Sequence, residues 1–487
     1  MLAVLVGMPG LVLAADEAEA EGAPSIASDV APITDPAVER LPNEPVPPVS
    51  GDEALPATSA GESASSAEPA GKMSADAAEQ APVQPKLDTL AQVLAKVWRD
   101  NPEVVQAERA LQATGYDISA ARSGYFPYLQ LQTSVAEQSQ DSVSTIYAVL
   151  PLWNGGLTGA QVDEAKSRQQ AAAAELVRVR QSLGVSAVEA YVNVAQAQEA
   201  AQQWSAYIGA LKRLLASIQR RAAEGAAPEA DVQTAITRLR QAEAGMEGNR
   251  AALFVNRAQL AQLLLATPGA VDWPDEAYML SDAEIAAVAS RSEMHPNRAL
   301  ALAEVEIQSA VARGARAALW PELSLQHRQQ LEGVVFDPSN DATLLVAQFQ
   351  SGNGVRGLFG YRAEQQRLNA ARARADAVHR EIEATIEVGR TQLATAAMQL
   401  QVQAQAAEAA SALVDSFMRQ YEVGRKTWLE VLNAQREAND TLLQSIALKR
   451  NYWFANGKLA LEGMYWHRLG APSAVVATEV KEAQADE

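Results

Sequence analysis

Cysteine is missing from all 487 residues of this chain. Its absence excludes disulfides, thiolate metal centres and a lipidated cysteine, and leaves the redox compartment open. Aromatic residues are scarce, 5% against 48% hydrophobic residues overall. Alanine and glutamine dominate many stretches instead, which favours long helices packed through small side chains over a compact, aromatic-rich enzyme core. No run of about 20 apolar residues occurs, so any entry into a membrane has to be made with strands. The only histidines, His295, His327, His379 and His467, show no paired ligand spacing. No metal or other cofactor is implied, and with no P-loop or nucleophile elbow the chain has no catalytic residues to assign.

Basic charge is also thin where it would matter. The net charge is −19, and residues 16–85 alone hold 14 acids against two bases. A second acidic stretch closes the chain, so the remaining middle is close to neutral and has no basic stripe to neutralise phosphates, which excludes nucleic acid as a partner. Residues 16–85 are rich in Pro, Ala, Ser, Gly and acids and read as a disordered leader, and residues 471–487 as a disordered tail. Residues 1–15 read as a signal peptide: Met1 to Leu13 is apolar and Val12-Leu13-Ala14 offers small residues for cleavage, although no Lys or Arg precedes the run.

What the chain does have is an internal repeat, with copies spanning 86–279 and 280–470. The first opens at Leu87, where Leu90, Val93, Leu94, Val97 and Trp98 fall at helical spacing with Asp88 placed to cap. Ser281 and Glu284 form a capping box for the second. Asn101-Pro102 and His295-Pro296 each restart a helix, and these helices end at Tyr125-Phe126-Pro127 and Leu319-Trp320-Pro321, with the two prolines 25 positions apart in both. Alternation follows each proline, Leu129, Leu131, Thr133 and Val135 in one copy and Leu323 and Leu325 in the other, as strands require. Second strands are predicted over Val143 to Leu152 and Thr343 to Phe349.

Glycine turns come next. Asn154-Gly155-Gly156-Leu157-Thr158-Gly159 aligns with Gly352-Asn353-Gly354-Val355-Arg356-Gly357, so Gly155, Gly156, Gly159, Gly354 and Gly357 are expected to turn strand into helix. Gly352, Gly354 and Gly357 with Asp376 also fit a dinucleotide fingerprint, but the parallel βαβ series that motif needs is absent. Each turn opens a polar, alanine-rich rod of about 65 residues, roughly 100 Å at 1.5 Å per residue. The rods end near Ala223 and Val423, and Gly225 and Gly424 tip hairpins whose returning helices start around Asp231-Val232 and Glu430-Val431. The first return ends near Thr267-Pro268-Gly269. The last helix carries Leu429, Leu432, Leu443, Ile446 and Trp453 on a heptad lattice, a coiled-coil seam. The fold class is therefore mainly α with a small β part: two tandem helix-strand-strand-helix-helix repeats contributing four antiparallel strands.

This pattern, together with Gly124-Tyr125-Phe126-Pro127 and Pro151-Leu152-Trp153-Asn154-Gly155-Gly156, resembles the TolC family of outer-membrane efflux and secretion channels, over roughly Leu87 to Trp466. The resemblance implies a homotrimer with a 12-stranded β-barrel in outer-membrane lipid of a Gram-negative bacterium and an α-helical tunnel in the periplasm. It implies a passive duct, not an enzyme, serving a periplasmic membrane-fusion adaptor protein and an inner-membrane ABC exporter or proton-driven pump. Tyr421 to Ala434 is similar to the family's inner hairpin tip, so Tyr421 and Lys426 are expected to hold a periplasmic gate shut, with Asp231 accepting from them. Glu430 and Asn433, three apart on one face, are expected to line the constriction. Gly225, Gly424 and Arg425 are the expected adaptor-docking points. The stretch Gly424 to Glu437 looks most like channels of type I secretion of large adhesins, with drug efflux as the alternative. A coiled-coil adaptor is the reading from another class, and it would need a lipoyl-like β domain that the chain lacks.

Overall fold

In a computed structural model, residues 89–135, 142–332, 335–336, 341–349 and 354–470 are described. They belong to one compact unit, Gln80–Glu487. The signal peptide, the acidic leader, Leu87, Asp88, Gly352, Asn353 and the acidic tail lie outside the described residues.

The first copy runs α1 (Leu90–Asp100), α2 (Pro102–Ser123), β1 (Tyr128–Val135), β2 (Ser142–Trp153), α3 (Leu157–Ala223) and α4 (Glu229–Leu264). The second runs α5 (Asp282–Ala287), a 3-10 segment Val288–Met294, α6 (Pro296–Ala317), β3 (Glu322–Glu332), the two-residue β4 (Val335–Phe336), β5 (Ala342–Gln348), α7 (Gly354–Glu422) and α8 (Trp428–Glu462). Corresponding helices match in length: 22 residues each for α2 and α6, 67 and 69 for the rods α3 and α7, 36 and 35 for the returns α4 and α8.

Local chemistry sets these limits. Pro102 and Pro296 stand where a helix leaves an N–H unused, and the preceding residues cap: Asn101 Oδ1 accepts from the Glu103 N–H at 3.0 Å and His295 Nδ1 from the Asn297 N–H at 3.2 Å. The capping box of Ser281 and Glu284 forms as expected. The cap of α1 is a correction. Thr89, in a box with Gln92, starts the helix where Asp88 was expected to, because Thr89 leaves Gln92 three residues on to reach back to its N–H.

The apolar stripe of α1 is buried whole, Leu90, Val93, Leu94, Val97 and Trp98 all at 3% exposure or less. It seats on α3, α4 and the 3-10 turn Trp466–Leu469 that follows α8, in a core with Leu176, Tyr191, Leu461 and Trp466, where the Trp98 and Trp466 rings stack 5.5 Å apart. Each fully buried Leu or Tyr here contributes about 1.5–3 kcal/mol of transfer free energy. A second cluster lies at the far ends of the rods and includes Leu211, Leu214, Ile218, Val232, Tyr421, Val431 and Leu432. The linker between the copies is clamped by Asn456, 1% exposed, whose amide donates to Tyr278 C=O at 3.1 Å and accepts from Leu280 N–H at 3.0 Å.

The sheet is antiparallel in the order β1-β2-β3, with β5 on the other side of β3 and β4 against its end. Paired residues share a face, so Leu129, Leu131, Ile146, Leu150, Leu325 and Leu345 lie on one side and Gln130, Gln132, Thr145, Gln326, Arg328 and Gln330 on the other. Leu129, Leu131 and Leu345 are exposed. Among the described residues β1 and β5 each have one free edge.

Candidate functional site

The two hairpin tips close in the same way. Gly225 and Gly424 hold φ of +73° and +74°, and past them Ala226 N–H reaches Arg221 C=O at 2.7 Å and Arg425 N–H reaches Gln420 C=O at 2.8 Å. This is the left-handed helix end that glycine permits at no steric cost. Both glycines are exposed, with nothing within 4 Å of where a Cβ would stand. Six residues further on in each hairpin comes a carboxylate, Asp231 in the first turn of α4 and Glu430 in the first turn of α8. Negative charge there is favoured by the helix dipole.

The two carboxylates then take different partners. Glu430 Oε2 accepts from the Thr427 N–H and hydroxyl, both at 2.9 Å, while the Thr427 hydroxyl accepts from the Glu430 N–H at 3.3 Å, a complete capping box. Glu430 Oε1 accepts from Lys426 Nζ at 2.6 Å. The Lys426 hydrogen bond above all, then those of Thr427, hold the Glu430 carboxyl at about 2. Asp231, half-buried, instead accepts from the indole N–H of Trp428 at 2.8 Å, which joins the start of α8 to the start of α4. Tyr421 is 5% exposed, with its hydroxyl 3.4 Å from Ser217 Oγ and the Arg221 guanidinium 4.5 Å from its ring centre. Lys426 Nζ also sits 4.4 Å from the centre of the Phe417 ring.

Tyr421, Lys426, Glu430 and Asp231 are thus brought to one end of the helical region, as the spacing implied, but within the chain they pair differently. Asp231 takes Trp428 rather than Tyr421 or Lys426, because the α4–α8 approach leaves the indole N–H nearest it and Lys426 is held by Glu430. Asn433 is exposed one turn beyond Glu430. Sequence reading missed Trp428, Ser217, Arg221 and Phe417, which act across helices. Thr427 was legible as the Thr-x-x-Glu box that precedes the last helix.

The strand-to-helix turn needs correction too. Gly155 and Gly156 are left-handed, at φ +66° and +91°, and a Cβ on Gly155 would come within 2.8 Å of Ala317 C=O. Gly159, however, lies in the first turn of α3 beside the Tyr125 hydroxyl, and Gly354 and Gly357 are already helical in α7. In the heptad of α8, Leu432, Ile446 and Trp453 are buried and Leu443 half-buried, but Leu429 is 46% exposed.

Residues 93–264 match the family described as Outer membrane efflux protein. The outer membrane efflux protein BepC of Brucella suis is 22% identical over 373 residues, 74% of this chain and 81% of its own. The cation efflux system protein CusC of Escherichia coli K12 is 30% identical over 135 residues, 26% of this chain and 28% of its own. Among solved structures, the outer-membrane channel OprN superposes with a TM-score of 0.68 at 16% identity, covering 79% of this chain and 90% of that one.

Proposed function

Because this chain belongs to the outer membrane efflux protein family, the TolC family that its repeats resemble, we propose that it is the outer-membrane duct of a tripartite export machine in a Gram-negative bacterium. Three copies close a 12-stranded barrel in outer-membrane lipid and continue it as a helical tunnel, and the tips at Gly225 and Gly424, with Arg425, receive the periplasmic adaptor. The observation that carries this reading is the sheet. One face exposes Leu129, Leu131 and Leu345, the other carries Gln130, Gln132, Gln326, Arg328 and Gln330 beside Tyr128, Tyr147 and Leu344, and joining β5 of one copy to β1 of the next removes the edges left free among the described residues while turning Leu129, Leu131 and Leu345 to lipid.

At the other end, Tyr421, Lys426, Glu430 and Asp231 form the gate region. The Lys426 ammonium beside Glu430 offsets part of each carboxylate, so a threefold ring of Glu430 attracts cations more weakly than three unpaired carboxylates would. The duct does no chemistry of its own, and export energy comes from an inner-membrane ABC exporter or proton-driven pump.

Two cargo readings follow. The relatives' names favour efflux of small molecules or ions, and the tip stretch Gly424 to Glu437 favours type I secretion of large proteins. Deleting the gene separates them: lost tolerance to drugs or metal ions supports efflux, and a missing large surface protein at normal tolerance supports secretion. The duct itself is tested by purifying the chain in detergent, measuring its mass and recording it in planar bilayers. Three copies with stepwise conductance are expected, and a non-conducting monomer overturns the proposal.

A further inference from the structure

The two faces of the sheet differ in crowding as well as in chemistry. Val149 of β2 and Ser324 of β3, both on the face of Gln130, Gln326 and Arg328, are 5% exposed, although among the described residues no helix lies along the sheet. On the opposite face Leu325, next to Ser324 and equally central, is 37% exposed. The edge strand β5 shows the same bias, with Leu345 at 65% and Leu344, on the crowded side, at 44%. Side chains converge on the inside of a curved sheet and splay on its outside, so Arg328 stands on the concave face. In a closed barrel that face lines the lumen.

Arg328 is exposed, and among the described residues it makes neither a hydrogen bond nor an ion pair. The positions beside it carry no acid: Gln326 and Gln330 flank it along β3, Tyr147 faces it from β2 and Ala342 from β5. By register the nearest acidic positions on this face, among the described residues, are Glu332 toward the outer end of β3 and Glu322 at its start. They stand about 13 and 20 Å away along the strand. The one basic group that the described residues place on the opposite face is treated differently, since His327 is held by Thr343 Oγ1 at 3.0 Å and Asp341 Oδ1 at 3.3 Å.

Distances decide what such a group does in a trimer. Twelve strands about 4.8 Å apart, tilted by about 40°, close a wall of roughly 12 Å radius. An arginine extended inward covers about half of that radius, which leaves three guanidiniums each roughly 6 Å from the axis, inside the screening length of about 8 Å at physiological salt. The acidic positions lie outside that length. A guanidinium offers a planar fork of donors and no acceptor, which suits carboxylate and phosphate oxygens, and the neighbouring Gln amides and Tyr147 hydroxyl add neutral donors. We propose that Arg328 of three copies forms an anion-binding ring in the lumen of the barrel, a station for solutes that carry carboxylate or phosphate groups. The ring rests on the duct reading and adds to it a charged station opposite in sign to Glu430, without the neighbouring counter-charge that Lys426 gives Glu430.

A chain without cysteine allows the test to be made with thiol reagents. Arg328→Cys trimers are recorded in planar bilayers under a KCl gradient and treated with two membrane-impermeant reagents, one adding a trimethylammonium group and the other a sulfonate. The substitution is expected to shift the reversal potential toward cations, the ammonium to return it and the sulfonate to move it further, each by at least about twofold in the permeability ratio. Leu129→Cys, on the other face, is expected to react with neither. A thiol at position 328 that neither reagent reaches overturns the placement in the lumen, and a reversal potential indifferent to the sign of the added charge overturns the ring. Inorganic phosphate is the binding probe. It is expected to lower the chloride current of the parent trimer at least about twofold and to leave that of Arg328→Gln within about a tenth of its starting value, and equal block of both overturns the binding site. A parent chain that forms no conducting trimer overturns the duct reading itself.

Discussion

The indole N–H of Trp428 donates to Asp231 Oδ2 at 2.8 Å, and with that bond the first turn of α8 is tied to the first turn of α4 across 197 residues of sequence. Both groups are partly buried, so the bond is to a charged acceptor with restricted water access, worth about 1.5–3 kcal/mol. Together with Tyr421 against Ser217 and Arg221 it holds the two hairpin tips side by side.

Trp428→Phe keeps an aromatic ring, though a smaller one, and removes the donor. The tip is expected to open more often, seen as longer open times in planar bilayers and as increased sensitivity of cells to large antibiotics, with trimer content unchanged. Open times equal to those of the parent would show that the bond is not a latch.

The cap on α8 is pH-dependent in a defined sense. Lys426 first, then the Thr427 N–H and hydroxyl, lower the Glu430 carboxyl from 4.5 to about 2. A depressed carboxyl stabilises the tip fully above about pH 4.5, and that contribution disappears as pH falls toward 2. Proteolysis or hydrogen exchange at residues 421–431 should therefore accelerate over that window, and Glu430→Gln should flatten the response. At neutral pH Thr427→Ala removes the other half of the box and costs about 1 kcal/mol of local stability.

Replacing the tip glycines separates backbone strain from docking. Gly225→Asn or Gly424→Asn is tolerated, since asparagine adopts positive φ, while Gly225→Val or Gly424→Val costs about 1–2 kcal/mol. Both glycines face open space, so trimers should form in every case. Export is expected to fail in the valine variants, with binding to the adaptor lost in a pull-down, and retained adaptor binding would place docking elsewhere.

Asn456 offers a stability test remote from the tip. Asn456→Leu leaves the buried Leu280 N–H and the part-buried Tyr278 C=O without partners, and a loss of about 1–3 kcal/mol, mostly from Leu280, is expected as a lower Tm in circular dichroism. The linker between the copies should then become the first site of proteolysis.

How much of the fold is legible in the sequence depends on the distance over which each signal acts. Pro102 and Pro296, the glycines of the tips and the stripe from Leu90 to Trp98 act within a turn or two of backbone, so the duplicated order of elements, the rod lengths and the tips can be read from the residues alone. The same locality explains the errors: Asp88 and Thr89 are both competent caps, and only Gln92 reaching back to Thr89 separates them. Gly159, Gly354 and Gly357 look like turn residues in one dimension, yet glycine is also tolerated inside a helix, as at Gly159 in the first turn of α3.

By itself, then, the sequence determined two copies of one helix-strand-strand-helix-helix plan and put Tyr421, Lys426, Glu430 and Asp231 at its tips, because periodicity, caps and turns are local properties of the chain. Partner choice was decided by the tertiary structure. Asp231 and Glu430 occupy the same place in their hairpins, and only the meeting of the first turns of α8 and α4 gives one carboxylate to Trp428 and leaves the other to Lys426 and Thr427. Hydrogen bonds reach about 3 Å, and which groups come within that reach is a property of helix packing, not of spacing along the chain.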